Sequence, residues 1–311
     1  MLEKSLHLDA RLPPPARRLS QLVGQLAGLN RHQTLQVIHE RHVRVNGVVV
    51  TRPQLVLEPG DHLQIAWDPA MFQSAPPASP VSQSLEIVFE DEHLVVVGKP
   101  PALLTVPTRH RERTTLISLL EKRLQAARPG QRAYCVHRLD RGVSGLLVFG
   151  KRLEIAAAIR DQFEARKPER RYVAIVAGRV AKPRGTFRTY LATDADLNRF
   201  STQDASQGEL AVTHYQVTRR CANATVVEVT LETGRRNQIR VHFAESGHPV
   251  LGDPRYGNRA APQVAWPHRR LALHAATLGF RHPVDGRSLR FRSPLPPEMS
   301  EFLGSVRSPH D

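Results

Sequence analysis

A stretch without a charged residue interrupts this chain at residues 71–84, Met-Phe-Gln-Ser-Ala-Pro-Pro-Ala-Ser-Pro-Val-Ser-Gln-Ser. This Pro-, Ser- and Ala-rich composition is typical of an extended spacer, because it offers few side chains that could pack into a core. The stretch therefore divides the chain into separate units. We expect a small unit over 1–70, the linker 71–84, a large unit over 85–300 and a tail over 301–311.

The overall charge indicates a polyanionic partner. The chain carries 44 Lys and Arg against 29 Asp and Glu, a net charge of +15, and 41% hydrophobic residues support a folded core. Nucleic acid is the usual partner of such a basic protein, with an anionic membrane surface as the competing interpretation. No apolar run approaches the roughly 20 residues that a membrane span requires. We therefore expect RNA or DNA as partner and no contact with a membrane.

The number of cysteines indicates in which cellular compartment the protein acts and whether it could hold a cysteine-rich metal site. Cys135 and Cys221 are the only cysteines, too few for a disulfide framework or a cysteine-rich zinc site. Residues 1–15 also lack the apolar core of a signal peptide. We expect a cytoplasmic protein. No metal motif, dinucleotide fingerprint or phosphate-binding loop is present, so we expect neither a metal nor a cofactor.

The sequence of the small unit predicts two helices followed by short strands. Leu19, Leu22 and Val23 recur at helical spacing, and Asn46-Gly47 between two valine-rich segments is a strong hairpin signal. A further strand is predicted over His62–Trp67. This pattern resembles an S4 RNA-binding domain.

The resemblance to an S4 domain implies that arginines of the small unit contact RNA. The residues concerned are Arg18, Arg31 and Arg44. Taken alone, they are also compatible with an ordinary solvated face. Their concentration in such a small unit favours contact with phosphates.

In the large unit, predicted strands and helices are interspersed. Helices are indicated over 115–127 and 153–166, and strands over 172–177, 212–217 and 225–231. Several strands are joined too briefly for βαβ crossovers. We therefore expect an α+β fold with a mixed, mostly antiparallel sheet.

The segment His137-Arg-Leu-Asp-Arg-Gly-Val-Ser-Gly-Leu-Leu-Val-Phe-Gly-Lys151 places a carboxylate between two arginines just before an apolar strand. Cationic neighbours favour the ionised carboxylate of Asp140. A loop fixed by a rigid strand is a common position for a catalytic group. The alternative interpretation is an ordinary ion pair at the surface.

A second segment, Leu231-Glu-Thr-Gly-Arg-Arg-Asn-Gln-Ile-Arg-Val-His-Phe243, leads from a strand into a helix that we expect over 236–246. Arg236 and Arg240 are four residues apart and would share one helix face. One could then meet a buried carboxylate while the other meets phosphate. A solvated basic face is the alternative for Arg236 but fits Arg240 poorly.

These two segments closely resemble motifs of the RluA-type RNA pseudouridine synthases. So do Gly98-Lys99-Pro100 and Gly252-Asp253-Pro254-Arg255-Tyr256-Gly257. The resemblance implies that Asp140 is the catalytic residue, that Tyr172 stacks on the target base and that Arg240 pairs with Asp140. It also implies RNA contact and base flipping by Arg138, Arg141 and Arg236. The chain departs from the family pattern at Asn237, where His is usual, and at Arg170, where Lys is common. In the segment after Lys99, Pro101-Ala102-Leu103 replaces the commoner Ala-Gly-Leu.

The implied reaction breaks the N–C glycosidic bond of uridine, turns the base and rejoins it through carbon 5, with structured RNA as substrate. Large-subunit (23S) ribosomal RNA is the family-level expectation, transfer RNA stays open, and we expect a monomer. Leu139, Leu146, Ile239 and Tyr172 are expected to form apolar walls that exclude water.

Two other functions are compatible with parts of this sequence. A glycoside or nucleoside hydrolase normally uses two paired carboxylates, whereas the motifs around Asp140 and Arg240 contain one central acid among arginines. An RNA-binding or ribosome-assembly factor with an inactive second domain is the other alternative. The intact set of Asp140, Tyr172 and Arg240 argues against it.

Overall fold

The computed structural model describes residues 2–9, 17–72, 85–108, 111–165, 168–195, 197–257 and 264–306. The chain separates into two compact units, Met1–Ser82 and Gln83–Asp311. Residues 73–84 of the predicted linker lie outside the described residues.

The small unit combines helices with a four-stranded antiparallel sheet among its described residues. In chain order its elements are β1 (Leu2–His7), α1 (Leu19–Ala27), α2 (Arg31–His39), β2 (Val43–Val45), β3 (Val48–Val49) and β4 (His62–Trp67), followed by a single helical turn at Pro69–Phe72. The strands lie in the order β1-β4-β2-β3. This arrangement confirms the two helices, the hairpin and the third strand predicted from the sequence.

Local chemistry explains these elements. Leu19, Leu22 and Val23 of α1 are buried together in the core of the small unit. Asn46 and Gly47 both adopt positive φ, 51° and 76°, as a two-residue hairpin turn requires. Strand β1 was not predicted, because nearly all its residues are exposed and no apolar alternation marks it.

The large unit contains a long sheet flanked by helices. In chain order its elements are β5 (Glu86–Glu90), β6 (Leu94–Lys99), α3 (Leu116–Ala127), β7 (Tyr134–Cys135), β8 (Ser144–Gly150), α4 (Leu153–Glu164), β9 (Glu169–Ala177), β10 (Arg184–Thr193), β11 (Arg199–Thr202), β12 (Glu209–Arg220), β13 (Ala224–Leu231), α5 (Gln238–Glu245), β14 (Leu273–Arg281), β15 (Ser288–Arg292) and α6 (Pro297–Ser305). In the described part of the chain, no helix is long and apolar enough to cross a membrane.

The sheet of the large unit is mixed. Its main path runs β11-β10-β12-β13-β9-β14-β8-β6-β5, with β15 paired to β14 and β7 to β8. Neighbouring strands are antiparallel except β8 and β14, which pair in parallel through Ser144 and Gly145. This topology confirms the predicted α+β class and its mostly antiparallel sheet.

Both faces of the central strands are buried, which explains their continuous apolar runs. In β8, Leu147 and Phe149 face a core that includes α3, while Leu146 and Val148 face a second core that includes α4. The prediction that Leu146 forms a wall of the site is therefore wrong. Leu139, Ile239 and Tyr172 all belong to the α3 side.

Several boundaries differ from the sequence prediction: strands β9 and β12, for example, begin at Glu169 and Glu209. Helix α5 begins at Gln238, not at 236, because Asn237 adopts a left-handed φ of 59° that no helix continues through. Helix α4 ends at Glu164. Helix α6 crosses the boundary predicted at residue 300, and residues 307–311 of the predicted tail lie outside the described residues.

Candidate active site

Lys99, at the end of β6, holds the loop that carries Asp140. Lys99 is only 2% exposed, and its Nζ donates to the carbonyl oxygens of Leu103 at 2.7 Å, Pro100 at 2.9 Å and Arg141 at 3.3 Å. Burial lowers the pKa of Lys99 to about 7, and the nearby charge of Asp140 opposes that shift. One cationic group thus ties the Lys-Pro segment to the loop.

A second tie holds the same loop through its backbone. The Thr105 hydroxyl donates to the carbonyl of Leu139 at 3.0 Å and accepts from its N–H at 3.2 Å. The N–H of Val143 donates to the carbonyl of Asp140 at 3.1 Å, which closes a turn just before β8. The Asp140 backbone is therefore anchored on both sides.

The structure contains the Asp140–Arg240 ion pair implied by the sequence motifs. Arg240 Nη1 on α5 lies 2.9 Å from Asp140 Oδ2. The two side chains are 10% and 22% exposed, so the pair is partly shielded and still reaches the surface. Partial burial strengthens such a pair relative to one in open solvent.

Arg240 is itself held by a buried acid. Asp253 accepts from Arg240 Nε at 2.7 Å and from Nη2 at 2.8 Å, and its side chain is 0% exposed. The Asp253 carboxylate also accepts from the backbone N–H groups of Arg255 and Tyr256. Burial alone would lower the pKa of Arg240, but the hydrogen bonds and charges of Asp253 and Asp140 outweigh it and raise that pKa.

Asn237 and Tyr256 complete the support of Arg240. Asn237 Oδ1 accepts from Arg240 Nη1 at 2.9 Å, and its Nδ2 donates to the Tyr256 hydroxyl at 3.0 Å. The Arg240 guanidinium lies 5.0 Å from the centre of the Tyr256 ring, within the range of a cation–π contact. Asn237 therefore supplies an acceptor at the position where the family pattern usually has His.

Tyr172 lies with this ion pair around a cavity of about 60 Å³, whose lining also includes Leu139, Leu231 and Ile239. Tyr172 is 8% exposed. Burial raises the pKa of Tyr172, the Asp140 charge raises it further, and Arg170 opposes both. Its phenol is thus protonated at neutral pH and presents a flat apolar ring beside the carboxylate.

The other arginines predicted for the large unit lie at the surface. Arg138 is exposed and lines the cavity with Asp140. Arg141 donates from Nε to the carbonyl of Ala102 at 3.0 Å, and Arg236 donates from Nη2 to the carbonyl of Leu197 at 2.8 Å. Because α5 starts after Arg236, the prediction that Arg236 and Arg240 share a helix face is wrong.

The arginines predicted for the small unit are separate from this site along the chain. Arg18 is exposed and directly precedes α1. Arg44 is exposed on β2 and donates from Nη1 to the carbonyl of Gly47 at 3.0 Å. Arg31 begins α2, and its side chain lies outside the described residues.

Lys99 and Asp253 lie in segments that resemble family motifs, but the sequence alone indicated no role for either side chain. An internal lysine at a strand end and an aspartate in a Gly-Asp-Pro turn were the available signals. Among the described residues, no group of three or more His, Cys, Asp and Glu side chains is arranged to hold a metal ion.

Comparisons with known proteins fit this geometry. Residues 93–245 match the model of the RNA pseudouridylate synthase family, and residues 17–63 match the S4 domain. The ribosomal large subunit pseudouridine synthase D of Pseudomonas aeruginosa is 35% identical over 94% of this chain and 92% of its own length. The chain belongs to the RNA pseudouridine synthase family.

Two further relatives are similar over most of the chain. The ribosomal large subunit pseudouridine synthase D of Xylella fastidiosa is 32% identical over 94% of this chain and 89% of its own. The uncharacterized RNA pseudouridine synthase YlyB of Bacillus subtilis is 33% identical over 89% and 90%. The predicted assignment to RluA-type synthases with an N-terminal S4 domain is confirmed, and the chain is an isomerase that forms pseudouridine in RNA.

A solved structure agrees on the fold. Human RNA pseudouridylate synthase domain containing 4 superimposes with a TM-score of 0.59 at 24% identity, over 72% of this chain and 94% of that one. At this identity the likeness supports the pseudouridine synthase fold of the large unit.

Proposed function

We propose that this pseudouridine synthase isomerises one or more uridines of large-subunit (23S) ribosomal RNA, with Asp140 as the catalytic residue. The names of the relatives from Pseudomonas and Xylella support ribosomal RNA as the substrate class. The net charge of +15 supports electrostatic attraction to such a polyanion. The proposal includes a monomer that acts in the cytoplasm, and makes transfer RNA the competing substrate.

The single observation that carries the mechanism is the hydrogen-bonded chain Asp253–Arg240–Asp140, which runs from a buried carboxylate to a cavity. Arg240 binds Oδ2 of Asp140, and no residue in the described part of the chain hydrogen-bonds Oδ1. A carboxylate fixed through one oxygen keeps the other for reaction. Asp140 thus serves as the nucleophile, or as the base that triggers departure of the uracil.

The reaction needs no outside reagent. The bond between the sugar and N1 of uracil breaks, the base turns, a bond from the sugar to C5 forms, and the C5 proton leaves as N1 gains one. Atoms and electrons balance between uridine and pseudouridine. The protein must hold the detached uracil and keep water from the sugar carbon.

Tyr172 and the apolar lining support this holding role. The Tyr172 ring, with Leu139 and Ile239, borders the cavity that contains Asp140. A flat ring beside the carboxylate can stack on the uracil, as RNA-binding proteins commonly stack bases on aromatic side chains. Hydrolysis to free uracil is thereby suppressed.

Access to the uridine requires base flipping, at a cost of a few kcal/mol. Arg138 is exposed at the rim of the cavity, and its flat guanidinium can stack in the place of the extruded base. In the proposal, Arg141 and Arg236 contact the RNA around the large unit. Arg18, Arg31 and Arg44 of the S4 domain add contacts to phosphates.

The proposal is tested by mapping pseudouridines in total RNA from a strain that lacks the gene. We expect one or more large-subunit ribosomal sites to be lost and to return when the wild-type gene is restored. Loss of sites only in transfer RNA would contradict the assigned substrate. An unchanged map would contradict the function.

A further inference from the structure

A larger cavity, of about 490 Å³, adjoins the small one that contains Asp140. The two cavities share the lining residues Arg138, Tyr172, Leu231 and Arg235, so they adjoin each other. Ligand sites usually occupy about 300 Å³ or more. The larger cavity therefore has room for a nucleotide beside the position of the target uridine.

Arg170 lines this larger cavity and has no counter-ion among the residues that the structure describes. It is 7% exposed, and its Nη2 donates to the backbone carbonyls of Glu232 at 3.2 Å and Leu231 at 3.4 Å. Within the described ranges it forms no ion pair, and its buried Nε has no hydrogen-bond acceptor. A buried guanidinium without a carboxylate is costly unless a ligand supplies the negative charge.

The local packing directs the guanidinium toward the cavity. The Arg170 guanidinium stacks on the Phe163 ring, 5.1 Å from its centre. A Cβ on Gly234, another lining residue, would lie 2.7 Å from Arg170 Nη1. The glycine therefore leaves the space that this nitrogen occupies.

The charge of the lining favours an anion. Arg138 and Arg160 also line the cavity, and neither forms a hydrogen bond or ion pair with the residues that the structure describes. The acids of the lining are Glu164 and Glu232, and Glu232 lies 2.6 Å from His214 Nε2. Arg235 is already paired with Glu209. Arginines thus outnumber acids in this lining, and Arg138, Arg160 and Arg170 have no acidic partner in the described part of the chain.

We propose that this cavity binds the phosphodiester of a nucleotide adjoining the target uridine, with Arg170 as the buried contact to the phosphate. The proposal rests on the proposed function, because a phosphate beside the cavity that contains Asp140 would belong to the RNA strand that carries the target uridine. Guanidinium groups suit this role, since their fork matches two phosphate oxygens.

The test measures binding of a fluorescent oligouridylate to the full-length protein in an Asp140→Asn background, which leaves the probe unconverted. Arg170→Met removes the guanidinium and keeps an unbranched, flexible apolar side chain that can still pack beside Phe163. We expect a dissociation constant raised about ten-fold and a salt dependence whose slope falls by about 0.7. Arg220→Met is the matched control, because Arg220 also donates to two backbone carbonyls but lies outside the lining.

Stability separates this role from a purely structural one. Replacing a buried, unpaired guanidinium by an apolar side chain of similar volume is expected to leave the melting temperature unchanged or raise it. A lower melting temperature of Arg170→Met with an unchanged salt slope would overturn the proposal.

A neutral phosphate analogue locates the contact. Methylphosphonate next to a uridine of the probe is expected to weaken binding with Arg170 present and to have no further effect in Arg170→Met. Equal losses in both proteins would overturn the proposal. A second result would also overturn it: inorganic phosphate raises the melting temperature only when Arg170 is present, while both proteins bind RNA equally well. Arg170 would then hold an adventitious ion only. Conversion of large-subunit RNA from the deletion strain is scored separately, so failure of the enzymatic function remains distinguishable.

Discussion

At the scale of single residues, the site depends on a relay of charges that starts from a fully buried acid. Asp253 fixes two nitrogens of Arg240, and Arg240 offers its remaining nitrogen to Asp140. Asp253 is therefore a positioning residue, since it acts on Asp140 only through the guanidinium. Its burial makes this link rigid, because the carboxylate has no solvent to turn toward.

Replacing Asp253 by Asn should damage both stability and turnover. Breaking a buried ion pair on one side costs about 3 kcal/mol or more, and misplacing a reacting group costs roughly a hundred-fold in rate. Urea unfolding and kcat on large-subunit RNA measure the two effects. Glu154→Gln, which alters an ion pair between the exposed side chains of Arg152 and Glu154, is the control and should change kcat not at all and stability by well under about 1 kcal/mol. Unchanged kcat in Asp253→Asn would contradict the relay.

The sequence allowed Asp140 and Arg240 to be chosen because each lies in a long, specific motif. Asp253 could not be assigned in the same way, because its role depends on a return of the chain that places it against α5. Lys99 was missed for a similar reason: its burial and its three carbonyl acceptors are visible only in three dimensions.

At the scale of elements, the parallel contact between β8 and β14 sets the direction in which the Asp140 loop enters the sheet. Gly145 makes that contact possible. It has a φ of 118°, and a Cβ there would lie 2.3 Å from the backbone oxygen of Ala275. Neither the backbone conformation nor the space admits a side chain.

Gly145→Ala should therefore unfold the large unit or separate β8 from β14. Gly130→Ala is a matched control, because Gly130 also has a positive φ, of 82°, but a Cβ there meets nothing within 4 Å. We expect the free energy of unfolding of the control to fall by only about 1 kcal/mol. Thermal unfolding and soluble yield compare the two variants. Equal losses of stability in the two variants would contradict the inference that the close approach of Ala275 excludes a side chain at Gly145.

Elements with a clear apolar pattern were predictable, and those without one were not. Strand β8 and helix α3 follow from continuous and periodic apolar residues. Strand β10 was missed because its ten residues are mostly polar or half-exposed. The start of α5 was misplaced because the left-handed conformation of Asn237 leaves no mark in the sequence.

At the scale of the whole molecule, the catalytic unit buries several histidines in neutral form. Burial lowers the pKa of His242 and His274 to about 4, and burial together with Arg170 lowers that of His137 to about 3. In the unfolded chain a histidine has a pKa near 6.5. Between these values the unfolded state binds more protons, so stability falls as the pH drops.

The free energy of unfolding should therefore decrease between pH 6.5 and 4 by about 1.4 kcal/mol per pH unit for each of these histidines. His242→Gln should remove one such contribution from the slope, while its difference from wild type stays constant above pH 7. Urea unfolding across this range measures both slopes. Identical slopes in wild type and His242→Gln would contradict the buried neutral state of His242.

In the proposed mechanism, Asp140 performs the isomerisation. The most direct measurement compares purified wild-type protein and Asp140→Asn on large-subunit RNA from the deletion strain, with pseudouridine formation and RNA binding recorded together. We predict conversion by the wild type, loss of conversion by the variant, and largely retained RNA binding by both. Turnover that persists in the variant, or free uracil released by the wild type, would contradict it.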